Sequence, residues 1–210
     1  MSNEPLWPSD YGVHPDHCRD VIDGCYDVPF NPETPPTVLD LGGNVGAFVR
    51  FAVNRWPGCM IHSYEPHPQN FALLKRTVAD YGNGHSVVFH NEAVAKVAGT
   101  APLYRGEFNC GEWSLVMGQG NPSVNVSIIA ASTLPKADIL KIDTEGAEPF
   151  ILQRLIDIGR ITEFSAIMLE YHRAGEEISI PAMLAPHGFK VFSHRPGITS
   201  SRGELKFARA

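Results

Sequence analysis

The sequence lacks an apolar run long enough to cross a membrane, and it has no excess of basic residues. Its first ten residues, MSNEPLWPSD, contain neither a basic segment nor an apolar one, so we expect no signal peptide and a cytoplasmic protein. The 17 Lys and Arg against 23 Asp and Glu give a net charge of −6. An acidic chain is a poor nucleic-acid binder, so we expect neither a nucleic-acid nor a membrane partner.

Paired cysteines are also missing, since the four cysteines form no CxxC motif. In a cytoplasmic chain such cysteines are expected to be free thiols.

What the sequence does contain, from residue 37 onward, is an alternation of strand-like and helix-like segments. TVLDLGG, CMIHSYEP and SVVFHNEAV are typical of strands, and AFVRFAVNRW and PQNFALLKRTVADYG have helical periodicity. ADILKID and FSAIMLEYH are further strands, each followed by a helix. This alternation predicts an α/β domain over residues 37–210, with residues 1–36 as an N-terminal lead-in segment that includes a short helix.

Two regions depart from the alternation. Residues 99–130 are typical of short antiparallel strands joined by Gly and Asn turns. At the C-terminus, FKVFSH and GELKFARA are separated by a Gly/Ser-rich turn, so they must pair as an antiparallel hairpin. We therefore predict a Rossmann-like, mostly parallel sheet that ends in an antiparallel hairpin.

The first strand ends in a glycine-rich turn, DLGGNVG, which is typical of a nucleotide site. Gly42, Gly43 and Gly46 permit a tight turn and a close approach of a ligand to the backbone. The second strand ends at Glu65, where a carboxylate can accept both hydroxyls of a ribose. The turn is not GxGxxG, and Asp40 before it would repel a pyrophosphate. A cationic cofactor such as S-adenosylmethionine therefore fits better than a nicotinamide dinucleotide.

Four segments, in this order and spacing, resemble the FkbM family of S-adenosylmethionine-dependent class I methyltransferases: VLDLGGNVGAF, YEPHPQNFALLKRTV, NEAVA and LKIDTEGAE. The similarity spans Cys25 to Phe192. It implies a seven-stranded sheet with the last strand antiparallel. By position it also implies a set of cofactor-binding residues, with the last two near the adenine: Asp40, Gly42, Asn44, Gly46, Glu65, Asn91 and Ala93.

A second site is predicted at the ends of the next two strands. ILKIDTEGAE places Asp143 and Glu145 after a buried strand, and IMLEYH places Glu170 and His172, which share strand parity, after its neighbour. Two roles fit. Asp143, Glu170 and His172 bind a divalent metal, Mg²⁺ or Mn²⁺, or His172 is a general base that carboxylates orient. In both cases Asp143, Glu145 and His172 are the predicted catalytic residues. Glu148 is interpreted mainly as a stabiliser of the following helix.

The sequence thus predicts an S-adenosylmethionine-dependent methyltransferase that methylates a hydroxyl of a small-molecule acceptor, a sugar or a secondary metabolite according to the resemblance. The alternatives are a nicotinamide-dependent oxidoreductase and a non-catalytic S-adenosylmethionine-binding module. Trp113 and Ser114 are candidate pocket residues, with a packed surface hairpin as the alternative. Because the chain is short, a homo-oligomer that closes the acceptor site is a further hypothesis.

Overall fold

The computed structural model describes residues 15–79, 86–105, 113–115, 124–197, 199 and 201–209. These residues contain five α-helices: α1 (Pro15–Ile22), α2 (Ala47–Arg55), α3 (Pro68–Ala79), α4 (Glu148–Asp157) and α5 (Glu176–Leu184). They also contain eleven strands: β1 (Thr37–Leu41), β2 (Met60–Tyr64), β3 (Ser86–His90), β4 (Ala93–Ala95), β5 (Gly99–Arg105), β6 (Trp113–Ser114), β7 (Val124–Ala130), β8 (Ile139–Ile142), β9 (Ala166–Tyr171), β10 (Phe189–Pro196) and β11 (Gly203–Arg209).

Seven of these strands form one large sheet in the order β10-β11-β9-β8-β1-β2-β3. All of its pairs are parallel except those made by β11, which is antiparallel to both β9 and β10. The predicted mostly parallel, seven-stranded Rossmann-like sheet with an antiparallel C-terminal hairpin is confirmed. The strand order reverses at β1, which lies between β2 and β8. In open α/β sheets this switch point is where ligands bind.

Helices cover both faces of the large sheet because each presents an apolar side to it. On one face, Ile151 and Leu155 of α4 pack with Leu140 of β8. On the other face, Phe48 and Ala52 of α2 join the second core cluster. Helix α4 begins at Glu148, as Pro149 in its first turn predicts.

Four strands form a separate small sheet in the order β4-β7-β5-β6. The predicted antiparallel strands of residues 99–130 are confirmed where they are described, in the pairs β5–β7 and β5–β6. The sequence prediction of one strand over SVVFHNEAV is wrong, because the chain passes from β3 in the large sheet to β4 in the small one. The change occurs at Asn91, whose side-chain amide donates to the carbonyls of Glu65 and Pro66 instead of continuing the strand.

The described part of the N-terminal segment packs against the large sheet. Tyr26 and Val28 are buried in the same cluster as Phe48, and the Tyr26 and Phe48 rings meet edge to face at 5.8 Å. Residue 14 and earlier residues lie outside the described chain. Among the described residues, no helix is both long and apolar enough to span a membrane.

Candidate active site

The backbone of the glycine-rich turn lies directly against the end of β8. The N–H groups of Gly42 and Gly43 both donate to the carbonyl of Tyr64, and the N–H of Asp143 donates to the carbonyl of Leu41. Gly42 has φ +86°, and a Cβ on it would lie 1.8 Å from the carbonyl oxygen of Asp143. Only glycine fits there, because a side chain would separate the two strand ends.

A cavity opens beside this turn at the carboxyl ends of β1, β2 and β8. Its residues come from the glycine turn, from the β2–α3 and β3–β4 loops, from the small sheet and from the loop after β8: Gly42, Asn44, Tyr64, Glu65, Pro66, Asn70, Glu92, Ala93, Val94, Leu103, Trp113, Leu115, Asp143, Thr144, Glu145 and Ala147. One wall is therefore polar, with backbone groups and carboxylates, and the other is apolar and aromatic.

Glu65 is fixed at the polar wall by two backbone N–H groups. Asn44 donates to Oε2 and His67 donates to Oε1, each at 2.8 Å. Burial raises the pKa of Glu65 to about 7, although both of these hydrogen bonds act in the opposite direction. The site therefore holds a carboxyl group that titrates near neutral pH, at the strand end where a ribose is expected.

The other predicted cofactor residues fall into two groups. Gly42, Asn44 and Ala93 line the cavity together with Glu65. Gly46 and Asn91 do not line it, since Gly46 packs near Leu74 at the start of α2 and the amide of Asn91 holds the β2–α3 loop.

Asp40 does not line the cavity but lies behind the glycine loop, where its Oδ2 is 3.1 Å from the position that a Cβ on Gly43 would take. Its side chain is fully buried, accepts a hydrogen bond from Ser63 Oγ at 2.7 Å and lies 3.2 Å from Lys141 Nζ. The strand alternation turns it inward, against the neighbouring strands. A direct contact of Asp40 with the cofactor stays a prediction.

The second predicted group is brought together around His172, just after β9. The closest contacts of its fully buried ring are with Glu145 Oε2, 3.1 Å from Nε2, and Glu148 Oε1, 3.3 Å from Nδ1. Asp143 Oδ1 and Glu170 Oε1 each lie 3.8 Å from Nε2. Burial by itself lowers the pKa of His172, but Glu145 and Glu148 raise it well above the usual range.

Glu148 does more than stabilise its helix. Its carboxylate accepts hydrogen bonds from the N–H of Thr144 at 2.8 Å and from the N–H of Gly146 at 2.9 Å, so it closes the turn that precedes α4. Burial opposes ionisation, but His172 and the backbone N–H groups of Glu148 and Thr144 hold the pKa of Glu148 below its usual value. Sequence reasoning found the helix position and missed the contact with His172.

The other carboxylates of the group differ in their surroundings. Burial, with the charge of Asp143 next in size, raises the pKa of Glu170 to about 8. Asp143 Oδ1 is buried and has no hydrogen-bond partner among the described residues. Oxygens of Asp143 and Glu170 and a ring nitrogen of His172 lie within 4.8 Å of one another, close enough to share a metal ion.

Comparison with known proteins gives this geometry a context. A model of the methyltransferase FkbM domain matches residues 40–191. The chain belongs to the FkbM methyltransferase family. It is 25% identical over 208 residues to Methyltransferase 1 of Beauveria bassiana, covering 86% of this chain and 82% of that protein. It is 23% identical over 209 residues to methyltransferase sdnD of Sordaria araneosa, covering 82% and 80%.

Solved structures agree on the fold. The precorrin-6y C5,15-methyltransferase of Geobacter metallireducens superposes with a TM-score of 0.52 at 12% identity, over 96% of this chain and 91% of that one. The TrmK protein of M. capricolum, solved in complex with S-adenosylhomocysteine, has a TM-score of 0.50 at 10% identity, over 92% and 67%. At such identities the likeness supports the class I methyltransferase fold alone.

The resemblance predicted from the sequence is therefore confirmed. This FkbM protein is an S-adenosylmethionine-dependent methyltransferase. Neither the nicotinamide-dependent oxidoreductase nor the non-catalytic binding module is favoured by the family.

Sequence reasoning missed Lys141, which connects the glycine turn with the acid group around His172. Its buried ammonium group donates to the carbonyl of Gly42 at 2.6 Å and lies 3.2 Å from Asp40 and 3.9 Å from Asp143. Burial alone lowers its pKa, but Asp40 and Asp143 raise it above the usual value. The available signal was a lysine inside the apolar run ILKI, two residues before Asp143 and so on the same side of the strand.

Tyr26 was also missed, and it comes from the N-terminal segment. Its hydroxyl donates to Asp143 Oδ2 at 3.2 Å, and burial raises its pKa well above the usual value. The sequence carried no signal for this contact, because 117 positions separate the two residues.

Proposed function

We propose that this methyltransferase transfers the methyl group of S-adenosylmethionine to a hydroxyl oxygen of a small-molecule acceptor. The observation that carries the proposal is that Asp143 and Glu145 belong to two structures at once. They line the cavity beside the glycine turn, and they also contact His172. Groups able to activate a hydroxyl thus adjoin the cavity expected to hold the cofactor.

For the cofactor, the proposed contacts are the backbone of Gly42 and Asn44 and the carboxylate of Glu65, with Ala93 near the base. Asp40 would act from behind the turn, through Lys141 and the Gly42 carbonyl. The ribose hydroxyls would donate to the carboxylate of Glu65, whose geometry suits a bidentate contact.

For the acceptor, the surroundings of His172 favour a metal over a histidine base. Glu145 and Glu148 raise the pKa of His172, which disfavours the proton-free form that a general base needs. A group of carboxylates that stabilises an imidazolium ion also suits a divalent cation, which would displace the imidazolium proton of His172 on binding. Asp143 Oδ1 has no hydrogen-bond partner among the described residues, and this free acceptor and the spacing of Asp143, Glu170 and His172 fit such an ion.

A mixed oxygen and nitrogen ligand set suits Mn²⁺, with Mg²⁺ as the alternative. When bound, the cation would lower the pKa of an acceptor hydroxyl. Glu145 would orient the acceptor, and Tyr26 would hold the second oxygen of Asp143.

The cofactor half is tested by calorimetric titration with S-adenosylhomocysteine on the wild type, Glu65→Gln and Glu163→Gln. Glu163 is a matched control, because its carboxylate pairs with Arg160 at the opposite end of the sheet. We expect Glu65→Gln to weaken binding at least tenfold and Glu163→Gln to leave it unchanged, with thermal unfolding to check that each variant is folded. No binding by the wild type would refute the cofactor assignment.

The acceptor half is tested by methyl transfer from labelled S-adenosylmethionine to a panel of sugars and phenols, each with an amine analogue, with Mn²⁺, Mg²⁺ or a chelator. Asp143→Asn is expected to bind S-adenosylhomocysteine normally and to lose turnover by about 10²-fold or more. Transfer to amines alone would overturn O-methylation. Full activity in the presence of chelator would exclude the proposed metal, and His172 would then be the candidate that activates the acceptor hydroxyl.

The proposal also covers the domain boundaries, the cellular location and the oligomeric state. Residues 37–210 would act as the methyltransferase domain, and Tyr26 of the 1–36 segment would contribute to its site through its hydrogen bond to Asp143. Cys18, Cys25 and Cys59 are free thiols, which supports a cytoplasmic location. A homo-oligomer that closes the acceptor side stays a prediction, and light scattering showing a strict monomer would remove it.

A further inference from the structure

The hairpin of strands β5 and β6 reaches across the cavity from the small sheet. Tyr104 of β5 pairs with Ser114 of β6. Leu103, Trp113 and Leu115 from this region line the same cavity as Gly42 and Glu65. The sequence suggested only that Trp113 and Ser114 are candidate pocket residues, and the structure places Trp113 in the same cavity as Gly42 and Glu65.

On the Glu65 side of the cavity, Trp113 is held in place by stacking on a neighbouring aromatic ring. Its indole lies parallel to the imidazole of His67, with ring centroids 4.0 Å apart and an interplanar angle of 9°. His67 is itself buried, and its backbone N–H is the group that donates to Glu65 Oε1. Burial lowers the pKa of His67, which favours the neutral form of the ring that stacks on Trp113. Trp113 is thus tied to the proposed ribose carboxylate through one intervening residue.

On the other side of the cavity, Ser114 holds the hairpin to the turn that carries Asp143 and Glu145, the proposed catalytic acids. Its hydroxyl donates to the carbonyl of Glu145 at 2.6 Å, and Ser114 is buried. Glu145 has a left-handed backbone with φ 56°, which a residue other than glycine adopts only when its surroundings hold it there. The hairpin is therefore held at both sides of the cavity.

We propose that Trp113 is a cofactor-binding residue whose indole packs against the nucleoside half of S-adenosylmethionine, with the β5–β6 hairpin as the roof of that pocket. The inference rests on the proposed cofactor site at Glu65. A ribose held by Glu65 brings its base toward the apolar wall formed by Ala93, Val94 and Leu103, which Trp113 completes. A flat base with two apolar faces fits such a wall, and stacking on an aromatic ring is a common source of affinity for a base.

The test is calorimetric titration of Trp113→Leu and Trp113→Phe with two probes, S-adenosylhomocysteine and 5′-methylthioadenosine, which lacks the amino-acid half. We expect Trp113→Leu to weaken both probes by the same factor, about tenfold or more, and Trp113→Phe to weaken them less. Val97→Ala is a matched control in the neighbouring β4–β5 connection, because Val97 is 70% exposed and does not line the cavity. It should bind both probes as the wild type does.

Tryptophan fluorescence supplies a second readout that does not depend on the fold of Trp113→Leu. The chain has three tryptophans, and the described ones are Trp56 and Trp113. The fluorescence change on adding S-adenosylhomocysteine should persist in Trp56→Phe and be lost in Trp113→Phe.

Each unfavourable result overturns the inference in a recognisable way. If Trp113→Leu bound both probes with wild-type affinity, the proposed contact of Trp113 with the cofactor would be overturned, whereas the proposed function would stand. If Trp113→Leu bound S-adenosylhomocysteine more weakly but 5′-methylthioadenosine with unchanged affinity, Trp113 would contact the amino-acid half of the cofactor. That result would overturn the nucleoside contact. Absence of binding by the wild type would overturn the cofactor site and this inference together.

Discussion

The buried Lys141–Asp40 pair allows a quantitative prediction, because both partners are almost completely inaccessible. Lys141 is 3% exposed, Asp40 is 0% exposed, and their charged atoms are 3.2 Å apart. At an effective dielectric constant of about 20, two unit charges at this distance attract by about 5 kcal/mol. Each ion also depends on the other for relief of its desolvation.

Removing one partner should therefore destabilise the fold strongly, whereas removing both should not. We expect Lys141→Met to lower the free energy of unfolding by about 3–5 kcal/mol, because the Asp40 carboxylate then keeps, among the described side chains, only the hydrogen bond from Ser63. Asp40→Asn should cost less, since Lys141 retains Asp143 at 3.9 Å and the Gly42 carbonyl. The double variant Asp40→Asn/Lys141→Met should recover most of the loss.

Urea denaturation followed by circular dichroism measures these differences, and thermal unfolding should show Lys141→Met lower by about 6–20 °C. The exposed pair Lys96–Asp157, at 3.9 Å with side chains 51% and 39% exposed, is the control. Lys96→Met should cost less than about 1 kcal/mol. The reasoning is refuted if Lys141→Met costs as little as Lys96→Met, or if the two single losses simply add in the double variant.

Two further predictions concern the glycine turn and the acid group. Gly42→Ala should abolish S-adenosylhomocysteine binding and lower the melting temperature, because the new Cβ would collide with the carbonyl oxygen of Asp143. Gly99→Ala is the control and should change neither property, because a Cβ there would have no neighbouring atom within 4 Å. Normal binding by Gly42→Ala would contradict the close approach of the two strand ends. Glu170 has a pKa raised to about 8 in the folded state, so its ionisation destabilises the fold as the pH rises from its unfolded value toward 8. With chelator present, the melting temperature of Glu170→Gln should accordingly rise relative to wild type between pH 5 and pH 9, and a constant difference would exclude the shift.

Local patterns were sufficient for the elements and for several strand-end residues. The glycine turn, Glu65 and the acids of KIDTEGAE were predictable because strand ends in a parallel sheet converge on one edge, wherever the strands lie in the order. The same reasoning predicted the start of α4, since Pro149 is compatible only with a first turn. It was wrong about the strand over residues 86–94, because the side chain of Asn91 bonds to a neighbouring loop that the local pattern does not reveal.

The α/β class, the antiparallel C-terminal hairpin and the family were all predictable from the sequence, because periodicity, turn residues and motif spacing are properties of neighbouring positions. Which distant groups meet became visible in the folded chain. It turned Asp40 inward onto Lys141, brought Tyr26 to Asp143 and laid Trp113 on His67. These contacts depend on strand register and on the path of the N-terminal segment and the small sheet. Both are set by burial of the whole apolar surface, which no short stretch of sequence contains.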